Sequence, residues 1–206
     1  MQSKQNYNSI EWTDFVVAPW VGDDYGQSTL LGNKRILVVG HSTYISPEFE
    51  HLKADADKVR SWLIDDTEKA RSGNRPSKFW TNIMKIVTDT DPNSWTVEEQ
   101  QEFWDSIALY NFIQAIQQPG LHQAEDPDYD VAFDKFKTRL NRLEPTHILV
   151  FSADVFDSLA EQMDKGDVTE FSVDYENGSA KLLRLRHPSW PISRTKWAPV
   201  VKQFLE

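Results

Sequence analysis

The sequence predicts an α/β domain, a three-layer αβα arrangement around a central, mostly parallel sheet of short strands. Short apolar runs at Arg35–Val39, Ile107–Phe112 (IALYNF) and His147–Phe151 (HILVF) have the length and branching of buried strands. Segments with apolar residues at helical spacing alternate with them. The 206 residues suffice for one domain with a full core, so residues 1–206 are read as a single unit.

Residues 1–34 show no sustained period. Trp12, Phe15, Val16, Val17 and Trp20 make them a covering segment for a core edge, punctuated by Gly22, Gly26 and Gly32. The first strand is closed by Gly40. Phe49, Leu52, Ala56, Val59 and Leu63 then recur at helical spacing within Glu48–Arg71. A second helix is expected over Lys78–Val87, followed by a turn-rich break at Asp89–Ser94. Thr96 with Glu99 is a capping-box signature for a helix over Val97–Asp105. IALYNF follows as a short strand with Asn111 at or near its end, and Gln117–Asp128 as a polar loop. Val131, Phe133, Phe136, Leu140 and Leu143 predict an amphipathic helix stopped by Pro145. HILVF is the clearest buried strand, and a helix over Ala153–Gln162 follows it. Asn177-Gly178 between Thr169–Tyr175 and Ala180–Arg186 signals a tight hairpin. Pro199 predicts that the last helix starts or restarts near that residue.

The chain has no cysteine, which removes disulfides, thiolate metal sites, iron–sulfur clusters and a cysteine nucleophile. The polar start MQSKQNYNSIEW and the lack of a long apolar run lead to the expectation of a soluble cytoplasmic protein without a membrane partner. The formal charge of -10 does not advertise nucleic-acid binding. Two runs are nevertheless basic: Lys69 to Lys85 holds five Lys/Arg and no acid, and residues 181–206 hold six against Glu206. They are solvated surface charge or the footprint of a phosphate-bearing ligand. His41, His51, His122 and His147 are too scattered for a metal-ligand pattern, and no Gly-x-Ser-x-Gly elbow is present.

Two strands far apart in sequence end in His-containing loops, Gly40-His41-Ser42-Thr43-Tyr44 and His187-Pro188-Ser189, with Asn111 behind a third. Ligands of open α/β sheets gather where parallel strands end, so these three clusters suggest one composite site. In order and approximate spacing they resemble the motifs of the uracil-DNA glycosylase superfamily. Its best-known branch has Gly-Gln-Asp-Pro-Tyr after the first strand, an Asn ending a middle strand and His-Pro-Ser after the last. The resemblance spans roughly Lys34 to Trp197, and more weakly the Trp20–Tyr25 lead-in resembles uncharacterised bacterial relatives.

The resemblance implies hydrolysis of the N-glycosidic bond of uracil or a related base in single- or double-stranded DNA, with no cofactor and no metal. Such an enzyme extrudes the nucleotide, reads the base edge and stabilises the departing anion. His187 would stabilise the anion, Asn111 would read the Watson–Crick edge, and Tyr44, beside Gly40, would crowd the C5 side of the ring. Ser189 would anchor a phosphate, and the loop Trp190–Lys196, with Arg194 and Lys196, would approach the minor groove. Ser42 stands where the best-known branch has its water-activating Asp, and Ser is a poor base. His41 is a candidate base or electrostatic partner, since imidazole titrates near neutrality.

Other readings of the same residues stay open. His187 can close a strand, Asn111 can satisfy a turn, Tyr44 can be core and Ser42 can cap a helix. At the level of function the alternatives are a non-catalytic module that binds a nucleobase, nucleotide or DNA on the same scaffold, and a protein-interaction role for the aromatic N-terminal segment.

Overall fold

A computed structural model of the chain describes residues 19–44, 56–73, 78–117 and 129–206. Among these residues six strands form one mixed sheet: β1 (Trp20–Val21), β2 (Ile36–Tyr44), β3 (Ile107–Gln117), β4 (His147–Val150), β5 (Glu170–Tyr175) and β6 (Gly178–Arg184). Among the described residues six α-helices accompany them: α1 (Ala56–Arg71), α2 (Lys78–Thr88), α3 (Val97–Asp105), α4 (Tyr129–Leu143), α5 (Ala153–Gln162) and α6 (Arg194–Leu205). The strand order is β1-β3-β2-β4-β6-β5. β3, β2, β4 and β6 run parallel, and antiparallel β1 and β5 close the two edges.

Strand alternation sends side chains to two cores, as expected for a sheet covered on both faces. Leu37, Val39, Ile148 and Val150 pack with Phe136 and Leu140 of α4 and Val155 and Phe156 of α5. Ile36, Val38, Leu149 and Leu183 pack on the other face with Trp80 and Ile83 of α2, Trp104 of α3 and Val201 of α6. α/β layering is therefore as the sequence predicts, as are the helices over Val97–Asp105 and Ala153–Gln162. Thr96 makes the full capping box with Glu99.

Several details differ from the sequence reading, each for a physical reason. Gly40 does not close its strand, and Asn111 does not end its own. β2 and β3 stay paired beyond them, Gly40 opposite Asn111 and Tyr44 opposite Gln117, with a bulge between Ser42 and Thr43. Parallel pairing at that range is tertiary and leaves no local signature. In the hairpin, Tyr175 pairs with Gly178, so the two-residue loop is Glu176-Asn177 and Gly178 enters the strand. Pro199 lies inside α6, which starts at Arg194 because the Ser193 side chain accepts from the Lys196 N–H. Burial of Ala198, Val201 and Phe204 offsets the hydrogen bond that proline removes. On α4, Val131 is exposed, and Arg139 is buried instead, its guanidinium over the Tyr110 ring at 4.0 Å. Trp20 of the covering segment is in the edge strand β1. Trp12 to Val17, Phe49 and Leu52, the side chains of Val59 and Leu63, and the loop expected after Gln117 lie outside the described residues. No described helix is long and apolar enough to cross a membrane.

Candidate functional site

Chain order runs from β2 outward to β3, then back across to β4 and β6, so the direction of winding reverses between β2 and β4. Such a reversal opens a crevice at the carboxyl ends of the strands. The candidate residues divide between its two sides.

On the side of α2 and α6, Gly40 and Asn111 are register partners. A Cβ at position 40 would overlap Asn111 Oδ1 and stand 3.9 Å from Phe79 Cζ. The Asn111 amide therefore lies across the bare glycine. Its Nδ2 donates to Thr43 Oγ1 at 2.8 Å, which fixes the amide's orientation and leaves Oδ1 over Gly40. Phe79 forms the next wall, and its ring centroid is 6.0 Å from that of His187.

His187 follows Leu185, whose N–H bonds the Val150 carbonyl at 2.8 Å and carries the β6 pairing to the mouth. A turn then closes from Trp190 N–H to the His187 carbonyl at 3.1 Å. Asn82 of α2 ties this turn down, its Nδ2 donating to the Pro188 carbonyl at 2.6 Å. The Ser189 N–H donates to His187 Nδ1 at 3.3 Å. An imidazole that accepts at Nδ1 carries its proton at Nε2. Burial, with a smaller contribution from His41, pushes the His187 pKa below the ordinary histidine value. Burial thus favours the neutral ring, which presents a single N–H donor.

His41 faces the other side of the sheet and is buried. Its Nδ1 is 2.9 Å from Ser42 Oγ and its Nε2 is 3.5 Å from the hydroxyl of Tyr129, the first residue of α4. Burial lowers its pKa, opposed by the carboxylate of Asp154 in the first turn of α5. Beside it opens a groove of about 600 Å³ bearing Tyr129 and the carboxylates of Asp130, Asp154, Asp157 and Glu161. That groove repels phosphate.

The remaining candidates are peripheral. Arg194 Nε is paired with Asp89 at 2.8 Å, and Lys196 Nζ stands 5.0 Å from the centre of the Trp197 ring. Ser189 and Trp190 are exposed. Of Tyr44 the backbone pairing is described, and its side chain lies outside the described residues. The basic run before α2 is partly neutralised, Lys69 by Asp65 and Arg71 by Asp105 at 2.7 Å.

The structure thus brings Gly40, Asn111 and His187 to one wall-lined corner, with His41 packed toward α4 and α5 yet close enough to His187 to act on its charge. Sequence reasoning missed Phe79, Asn82, Tyr129 and Asp154. A signal existed for Asn82: it is a lone amide on an apolar helix, three residues from Phe79 and hence on its face. No protein-family model and no curated protein matches this chain.

Proposed function

We propose that the corner formed by Gly40, Asn111, Phe79 and His187 holds an extruded nucleobase, and that the protein hydrolyses the N-glycosidic bond of uracil or a related base in DNA. The observation that carries this reading is the hydrogen bond from Ser189 N–H to His187 Nδ1, which leaves the proton of a neutral, half-buried ring on Nε2. When the C1′–N bond breaks, negative charge develops on the base, and a donor poised at its carbonyl lowers the barrier. A neutral imidazole serves because its proton need not leave.

Asn111 offers the matching base edge. Its Oδ1 can accept an imide N–H, and the second Nδ2–H can donate to the adjacent carbonyl. Uracil presents those two groups, whereas cytosine presents an acceptor and an amine in their place. Phe79 supplies the apolar ring face on which a base stacks, an interaction of about 1–3 kcal/mol per base. Gly40 has no Cβ to fill the space that the amide needs.

The non-catalytic binding module on the same scaffold is the second reading. It is favoured by the ion pairs that occupy Arg71, Arg184 and Arg194, which reduce the cations left for phosphates. Base release from uracil, hypoxanthine and xanthine oligonucleotides, single- and double-stranded, separates the two. Release of any base supports the hydrolase. Binding of the uracil strand in preference to the cytosine strand, without release, establishes the module instead. Neither release nor preferential binding sinks both.

A further inference from the structure

We propose that Ser42 and His41 act together as the proton acceptor for the hydrolytic water, with Tyr129 and Asp154 as positioning residues behind the imidazole. The proposal rests on the glycosylase reading above. Hydrolysis needs a group that takes a proton from water, and a serine hydroxyl alone does not do so at neutral pH. Ser42 is two residues from Gly40 on the same strand, where the register with β3 shifts, and the neighbouring His41 is close enough to His187 to act on its charge. The hydroxyl and the imidazole thus stand together beside the Gly40 and His187 corner. The contact is direct, Ser42 Oγ to His41 Nδ1 at 2.9 Å.

The rest of the imidazole's surroundings suits this task. His41 is only 7% exposed, so its lone pair is not spent on bulk water. Tyr129 stands at Nε2, and the Asp154 carboxylate favours a positive ring once a proton arrives. Among the described residues the titratable groups facing it are Tyr129 from α4, Asp154 from α5 and His187 from the loop after β6.

The step balances as follows. Water passes a proton to Ser42 Oγ while the serine proton moves to His41 Nδ1. The water oxygen bonds to C1′ as the C1′–N bond breaks, and its electron pair leaves with the base against His187 Nε2–H. Solvent protonates the departed base, and His41 returns its proton to solvent.

Single-turnover base release is measured from pH 5.5 to 8.5 for wild type, Ser42→Ala, His41→Gln and the double variant. Each single change is expected to cost about 100-fold, and the double little more, because the two groups share one path. The wild-type rate is expected to fall on the acid side, at a pH below the ordinary histidine value, where His41 becomes charged and cannot accept, and Asp154→Asn moves that fall to lower pH. Ser42→Asp restores a carboxylate and makes the rate independent of His41. Nitrogen NMR of the resting protein is expected to show the Nε2–H tautomer of His41 and its perturbation by Ser42→Ala. Wild-type rates and pH profile in both single variants overturn the pair and leave the glycosylase reading standing. An Nδ1–H tautomer overturns the pair independently of activity. If wild type releases no base from any substrate, the glycosylase reading falls and the pair falls with it.

Discussion

A methyl group at position 40 would collide with the side-chain oxygen Oδ1 of Asn111, which makes Gly40→Ala a sharp test of the proposed base-reading role. Phe79 sits just beyond, so the amide has little room to retreat. The variant is expected to fold, with a cost of about 1–3 kcal/mol for the forced shift. It is expected to lose uracil preference while retaining the His187 turn, and competition binding between uracil and cytosine oligonucleotides checks this. Unchanged discrimination would place base reading elsewhere. At this scale the sequence was informative where polar residues interrupt apolar runs: Gly40, Asn111 and His187 stand out against ILVV, IALY and LLRL. Phe79 did not stand out, because a wall aromatic and a core aromatic look alike in a chain with 12% aromatic residues. His41 was legible as a candidate, but its direction depended on strand parity around a residue that looked like the strand's end.

The elements carry a second kind of information, how the site is held. α2 belongs to the layer opposite α4 and α5, packs Trp80, Ile83 and Met84 into its core, and so fixes Asn82 under the Pro188 carbonyl. Asn82→Ala is expected to free the 187–190 turn and lower the rate of base release about tenfold, with substrate affinity nearly unchanged. Asn82→Asp, which cannot donate, should match it; an effect on affinity alone would argue against a positioning role. Capping and helical periodicity are local, and α3 and α5 were accordingly readable to the residue. The extensions of β2 and β3, the shifted hairpin loop and the proline tolerated inside α6 all depend on partners distant in sequence. Local propensity could not supply them.

At the scale of the whole molecule, charge and pH dominate. His147 begins β4 at the end of the sheet away from the site, buried against Phe204, and burial with nearby Lys181 and Lys34 lowers its pKa to about 4. As pH falls below 6.5 the unfolded chain takes up this proton and the folded protein does not. Stability is therefore lost between pH 6.5 and about 4. From pH 7 to pH 5 the loss is on the order of 2 kcal/mol, and urea unfolding of wild type and His147→Gln is expected to show that the variant lacks it. For the proposed DNA substrate, the acidic groove beside Tyr129 would leave the face of α2 and α6 as the side for the phosphate backbone. The most direct single measurement is release of uracil from an oligonucleotide by wild type and His187→Ala side by side under single-turnover conditions. The neutral-imidazole pocket requires release by wild type and a loss of about 100-fold or more in the variant. Equal rates in the two proteins would contradict it.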